Sequence, residues 1–173
     1  MSKKYLNIED DNFYNNINKK FKKYVIPKNK LSMKQICQPR KFKLQIPQNF
    51  MREWINPNTP YKGILIYHKI GAGKTCTAVN MAEKLKHTMN VMVILPAALI
   101  GNFRGELISE CPGDEYISSN DRKKLSKLKP SDCQYQSIIN KSNEKIDKFY
   151  TIYSYHKFVD LAKANKIKLK NTL

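Results

Sequence analysis

Eight consecutive residues, His68-Lys69-Ile70-Gly71-Ala72-Gly73-Lys74-Thr75, carry the residue types that hold a chain of phosphates. The strict phosphate-loop pattern GxxxxGK[ST] opens with Gly, whereas this segment opens with His68. The groups that would bind are nevertheless in register. Gly71 and Gly73 allow backbone N–H groups to turn inward around a triphosphate, and the N-terminus of a following helix would add its positive end. Lys74 would reach the β and γ phosphates of ATP as a compact charge, and the Thr75 hydroxyl would complete the coordination of Mg²⁺. Lys74 and Thr75 are therefore the candidate catalytic residues, Thr75 the candidate metal ligand, and residues 68–75 the candidate cofactor loop. His68 and Lys69 read in two ways: as solvated polar side chains at the mouth of the loop, or, for Lys69, as a point-charge contact to phosphate or nucleic acid.

Such a loop needs a strand before it and a helix after it. Gly63-Ile-Leu-Ile-Tyr67 is a short β-branched run of the kind that fills a buried parallel strand. The segment 74–87 places Cys76, Val79, Ala82 and Leu85 on one helical face. A second apolar run, Val91–Leu95, leads through Pro96 into a loop and a second helix, and Phe149–Tyr153 reads as a third strand followed by a short helix. Strand, loop and helix in alternation predict an α/β domain with a parallel sheet. Between these, residues 111–148 are Lys-rich, broken by Pro112-Gly113 and Pro130-Ser131, and read as a weakly helical surface insertion.

Upstream, Phe13, Ile17, Phe21 and Tyr24 fall at helical spacing within residues 1–36, which otherwise read as a basic, partly ordered arm. Pro39, Pro47, Pro57 and Pro60 confine any helix nearby to about 47–55, with Pro47 suited to a first turn and Phe50, Met51 and Trp54 forming its apolar side.

The chain has 173 residues and a formal net charge of +18, enough material for one real core and not two. The charge suits phosphate-rich partners, although solubility uses the same charge. With 28 Lys against 4 Arg, and 17 Asn, the bias also matches an AT-rich coding sequence. Residues 1–50 carry 12 basic and 3 acidic side chains, whereas residues 51–110 carry 7 and 4, so the segment holding the phosphate loop is nearly balanced.

Cys37, Cys76, Cys111 and Cys133 show no CxxC pair and no His at metal-ligand spacing. Neither a zinc site nor a disulfide framework is expected, and a reduced, intracellular chain is the default. No apolar stretch follows the N-terminal lysines, and Val91–Ile100 is interrupted by Pro96, so neither a secretory signal nor a membrane span is expected.

The order LQIPQNFMREWINPNTPYKGILIYHKIGAGKTCTAVN, then VMVILPAALIGNFRGEL, then YTIYSYHKFVD resembles the first motor domain of superfamily 2 helicases. In detail it is similar to the branch found in large cytoplasmic DNA viruses, which includes the poxvirus-type early transcription factor helicase subunit and nucleoside triphosphatase I. In that branch His opens the loop, in agreement with His68. The resemblance covers roughly residues 20–173. It implies that residues 37–173 are the N-terminal portion of an incomplete RecA-like P-loop domain, with ATP and Mg²⁺ as cofactors and DNA or RNA as partner. It also implies a role in viral transcription, in host cytoplasm or virion, beside a viral RNA polymerase.

Site roles follow the resemblance. Gln48 matches the glutamine that hydrogen-bonds adenine, its amide offering a donor and an acceptor to one base edge, or it is a surface Gln at a helix start. Pro96 to Phe103 resembles the segment that holds the phosphate backbone of a bound strand, with Pro96, Gly101, Asn102 and the adjacent Arg104 as candidate contacts. Ser154 and Tyr155 resemble the start of the next nucleic-acid-contacting motif, where Tyr155 reads equally as packing.

In this family the strand after Leu169-Lys-Asn-Thr-Leu173 would end in Asp-Glu, the pair that holds Mg²⁺ and positions the attacking water. No such pattern occurs: Asp114-Glu115 follows Pro-Gly in a polar segment, and Glu9-Asp10-Asp11 lies in the leader. Without that acid and the arginines of a second motor domain, hydrolysis would fall by several orders of magnitude. The parent family hydrolyses ATP, and these residues alone are expected to bind it weakly and turn over negligibly. Two alternatives stand beside a motor fragment: a non-hydrolysing nucleic-acid-binding module, and one half of a split motor whose second domain comes from another chain.

Overall fold

Proline and aromatic placement set the first helices. The computed structural model describes residues 6–28, 32–55, 61, 63–69, 71–167, 169 and 172, and the chain divides into two compact units, Met1–Leu65 and Ile66–Leu173. In the first unit, α1 (Phe13–Lys20) gives way to a 3₁₀ turn at Lys22–Tyr24. A single turn, α2 (Met33–Ile36), precedes α3 (Ile46–Trp54), which has Pro47 in its first turn, where a missing N–H costs nothing. Phe21 meets Phe50 edge-on at 5.1 Å, and Trp54 stacks on Tyr61 at 4.2 Å with the planes 6° apart. Tyr61 donates its hydroxyl to the Leu6 carbonyl at 2.9 Å. Such ring pairs contribute about 0.5–1.5 kcal/mol each beyond area burial. They matter here because only Gln48 and Ile55 are buried among the described residues of this unit. The aromatic spacing read as one amphipathic helix thus packs α1 and its 3₁₀ turn onto α3.

The second unit begins at Ile66, ahead of the glycine loop, and continues as α4 (Lys74–Leu85), β1 (Val91–Leu95), a 3₁₀ turn at Ala97–Leu99, α5 (Ile100–Leu107), α6 (Ser119–Leu125), α7 (Cys133–Asp147), β2 (Tyr150–Ser154) and α8 (Tyr155–Lys163). The two strands pair in parallel, from Val91 opposite Tyr150 to Leu95 opposite Ser154. Parallel pairing requires a long crossover, here α5 to α7. Helix α4 buries Cys76, Val79, Ala82 and Leu85, the face its spacing predicts, and Met81 beside them. Leu107, Tyr116, Ile117, Ile146 and Tyr150 complete the core. Residues 111–148 therefore do more than cover the surface: Cys111, Tyr116, Ile117 and Ile146 are buried, and α7 is a 15-residue helix. Beyond α8, Thr172 makes a single parallel bridge to Asn90.

Two expectations are corrected. Residues 63–69 form neither helix nor ladder, and Leu65 and Tyr67 are 88% and 92% exposed. An apolar run becomes a strand only where a neighbour satisfies its N–H and C=O groups, and the two-stranded sheet pairs β1 with β2 alone. Second, Cys76 and Cys111 form a disulfide with Cα atoms 5.8 Å apart. The segment after α5 folds back along α4, a contact across 35 residues that no local cysteine spacing announces. Cys37 and Cys133 are exposed and free. Among the described residues no helix is long and apolar enough to cross a membrane.

Candidate nucleotide-binding site

The loop that precedes α4 is shaped by its glycines. Gly71 and Gly73 have φ of +80° and +72°, the left-handed region that side chains with a Cβ rarely adopt. A Cβ added at Gly71 meets nothing within 4 Å, so conformation and not space requires glycine there. The Ala72 N–H donates to the Lys69 carbonyl at 3.2 Å, closing the turn. Gly73 then caps α4, and its carbonyl accepts from both the Thr77 N–H and the Thr77 hydroxyl at 2.9 Å. Thr77 is fully buried, so the first turn of the helix is anchored in the core while Lys74 and Thr75 face outward.

Lys74 Nζ donates to the carbonyls of His68 and Lys69, each at 3.3 Å. The ammonium therefore lies against the loop it follows, with two of its three donors so engaged. His68 is half-buried, and its Nδ1 is a buried polar atom without a hydrogen-bond partner among the described residues. Lys69 and Ala72 are exposed. Ile70 lies outside the described residues. Left-handed glycines, a helix N-terminus and a lysine ammonium at the loop are the features that an anion-binding cradle would need. The residues present thus fit a phosphate chain with Mg²⁺: Gly71 to Lys74 would hold the phosphates, and the exposed Thr75 hydroxyl would face the metal.

Gln48 sits in the first unit and is 5% exposed. Its Oε1 accepts from the Gln45 N–H at 2.7 Å, so its carbonyl end caps α3. Asp114 and Glu115 are committed to structure: Asp114 accepts from Arg122 at 3.1 Å and from Ser119, and Glu115 pairs with Lys86 at 2.9 Å. The Ser119 hydroxyl first, with Arg122 beside it, holds the Asp114 carboxyl below its usual range, and Lys86 does the same for Glu115.

Of the candidate nucleic-acid residues, Pro96, Ser154 and Tyr155 lie where the two strands end, and Gly101, Asn102 and Arg104 lie in α5. Leu95 pairs with Ser154, so Pro96 and Tyr155 leave the sheet at the same edge. Pro96, Gly101 and Asn102 are exposed, and Tyr155 is 54% exposed. Ser154 caps α8 by accepting from the Lys157 N–H at 3.2 Å. Arg104 is already engaged: it donates to Asn143 at 3.0 Å and to Asp147 at 2.6 Å, bracing α5 against α7.

Residue spacing gave no sign of the cluster behind α4. Glu83 accepts from Tyr116, Tyr150 and Lys86, while Lys86 also pairs with Glu115. Burial, then the Glu83 carboxylate, pushes both phenols well above their usual range.

Comparison with known proteins points the same way. The chain is 56% identical over 169 residues, 98% of its length and 30% of the relative's, to a protein of Acanthamoeba polyphaga mimivirus named "Putative ATP-dependent RNA helicase". A "Putative helicase" of Frog virus 3 is 30% identical over 116 residues, 64% of this chain and 11% of that protein. A "Termination factor NPH-I homolog" of African swine fever virus is 40% identical over 47 residues, 27% of this chain and 7% of that protein. The chain spans no more than 30% of the length of these relatives. No family model and no solved structure matches it. The chain is a homologue of the viral proteins named as helicases.

Proposed function

We propose that the chain is the ATP-binding portion of an ATP-dependent helicase or translocase, with residues 37–173 forming the first part of its RecA-like domain. The observation that carries this reading is the cradle at residues 68–75: two left-handed glycines lead into α4, with Lys74 Nζ against the loop carbonyls. Homology to proteins named as ATP-dependent helicases supports it.

In this reading the loop N–H groups and Lys74 bind the phosphates and Thr75 faces Mg²⁺, while the family resemblance assigns the adenine base to Gln48. Bound ATP supplies the phosphoanhydride whose cleavage drives movement. The exposed Pro96–Asn102 segment and Tyr155 contact a DNA or RNA strand from the edge where β1 and β2 end. The whole protein acts in viral transcription, and its partners include the viral RNA polymerase or a chain that supplies a second motor domain. Asp114 and Glu115 are bonded to Arg122 and Lys86, so neither of these two acids is free to orient water.

The test is equilibrium binding of a fluorescent, non-hydrolysable ATP analogue with Mg²⁺ to the wild type and to Lys74→Ala, alongside phosphate release with and without single-stranded nucleic acid. Saturable binding lost in Lys74→Ala, with no stimulated phosphate release, is the expected result. Binding indifferent to Lys74, or a robust rate of release abolished by Lys74→Ala, would overturn the reading for these residues.

A further inference from the structure

The disulfide sits at a mechanically sensitive place. Cys76 is the third residue of α4, next to Thr75, and is 5% exposed; Cys111 lies beyond the end of α5 and is 6% exposed. The bond closes a span of 35 residues that holds α4 from its third residue onward, together with β1 and α5. Asn80, one turn along α4, places its side-chain amide 3.3 Å from the Cys76 sulfur and 3.0 Å from the Cys111 sulfur, and it donates to the Cys76 carbonyl at 2.9 Å. The Glu106 carboxylate lies within 4.8 Å of both sulfurs. The two exposed cysteines, Cys37 and Cys133, are left unbonded. The covalent tie therefore joins the turn that carries Lys74 and Thr75 to the segment packed along the length of α4.

We propose that Cys76 and Cys111 form a reversible thiol–disulfide modification site that fastens the phosphate-loop turn of α4 to the segment after α5, so that nucleotide affinity follows oxidation state. The coupling to affinity rests on the nucleotide reading above, whereas the modification itself does not. The oxidant is a small-molecule disulfide of the glutathione class. One cysteine thiolate attacks a sulfur of that disulfide, forming a mixed disulfide and releasing one small thiolate. The other cysteine loses its proton and displaces the second small thiolate, whose protonation completes the balance: two protein thiols and one small disulfide become one protein disulfide and two small thiols. Attack requires the turn at residues 108–113 to open first, because both sulfurs are buried. The oxidised form holds the first turn of α4 pre-organised around the cradle; the reduced form must order it on binding and so binds more weakly.

The test equilibrates the full chain against graded ratios of glutathione and its disulfide, in wild type, in Cys37→Ser/Cys133→Ser, in Cys76→Ser, in Cys111→Ala and in Lys74→Ala. After acid quenching, alkylation under denaturing conditions and mass mapping locate the oxidised cysteines. The expected result is reversible loss of two thiols confined to Cys76 and Cys111, unchanged in Cys37→Ser/Cys133→Ser and in Lys74→Ala. Affinity for the Mg²⁺-bound ATP analogue should be about fivefold or more tighter in the oxidised wild type, a typical strength for coupled sites. In Cys76→Ser and Cys111→Ala it should be independent of the redox ratio. Failure of the two cysteines to link at any ratio, or zinc held stoichiometrically by the reduced thiols with Glu106, overturns the site. Equal affinity in the two forms overturns the coupling. Absence of nucleotide binding in every form overturns the coupling together with the nucleotide reading, while the map of oxidised cysteines still decides the modification.

Discussion

Tyr150 donates its hydroxyl to Glu83 Oε1 at 2.7 Å, joining the first residue of β2 to the last turn of α4 across 67 residues of chain. Tyr116 donates to the same oxygen at 2.5 Å, and Lys86 takes Oε2 at 2.7 Å. Lys86 is also 2.9 Å from Glu115 and lies over the rings of Tyr116 and Phe149 at 4.9 and 4.6 Å. Its side chain is 3% exposed and that of Glu83 is 12% exposed. One carboxylate thereby ties the helix behind the glycine loop to the strand and to the segment that precedes α6.

Removing that carboxylate leaves a buried ammonium short of one partner. Glu83→Gln preserves shape and keeps an acceptor for the tyrosines, but Lys86 then depends on the half-exposed Glu115. Breaking a buried pair from one side costs about 3–5 kcal/mol, so a loss of about 3 kcal/mol is expected in urea unfolding. Tyr150→Phe, which removes one hydrogen bond, should cost about 1 kcal/mol. An unfolding midpoint in Glu83→Gln equal to that of the wild type would show that the cluster does not hold the fold together.

The same tyrosines give a dependence on alkaline pH. Both are pushed well above the ordinary phenol value, by burial first and by Glu83 second. Free tyrosines release their protons near pH 10, whereas the folded protein keeps both. Stability from these groups is therefore whole below about pH 10 and falls as pH rises above it, by up to about 1.4 kcal/mol per pH unit for each tyrosine. Unfolding curves at pH 9 and pH 11 should show a smaller loss in Tyr150→Phe than in wild type. Identical losses would mean that Tyr150 ionises as easily folded as unfolded.

Arg104 separates a structural role from a nucleic-acid one. Its guanidinium is engaged by Asn143 and Asp147, and the Asp147 side chain is 54% exposed, so the pair is worth less than about 1 kcal/mol. Asp147→Asn should therefore leave stability nearly unchanged while loosening the arginine. If Arg104 contacts a strand, that variant binds single-stranded nucleic acid more tightly, and Arg104→Ala lowers the salt dependence of binding by about one ion. Filter binding across a salt series reads both effects; no change in either variant assigns Arg104 to the α5–α7 brace.

These residues also mark where sequence reading succeeds and where it stops. Val91–Leu95 and Tyr150–Ser154 are legible as strands because apolar, β-branched and aromatic runs pack well on a sheet, and each finds the other as partner. Gly63–Tyr67 has the same composition and no ladder, since composition reports what a strand could bury and not whether a neighbour is there to pair with it. The turn positions Gly71 and Gly73 are legible because left-handed φ demands glycine. Arg104 and Gln48 are visible by type, but their engagement with Asp147 and Gln45 depends on side-chain geometry that spacing does not encode. The Cys76–Cys111 bond and the Glu83 cluster lie further out of reach, since each joins residues 30 or more positions apart.

Gly71 offers the sharpest test of the loop itself. Because a Cβ there meets no atom within 4 Å, any effect of Gly71→Ala comes from its φ of +80°. Holding alanine in the left-handed region costs about 1–2 kcal/mol, which the folded protein either bears or relieves by letting the loop relax. Relaxation carries the Lys69 and Ala72 turn away from its closed form and moves the carbonyls that hold Lys74. Gly71→Ala should therefore weaken binding of the Mg²⁺-bound ATP analogue by about tenfold, the equivalent of some 1.4 kcal/mol, while the Glu83 cluster keeps the core intact. Near-ultraviolet circular dichroism reports the core tyrosines and should be unchanged. Undiminished binding in Gly71→Ala would mean that the left-handed turn at residue 71 is not the conformation that holds phosphate.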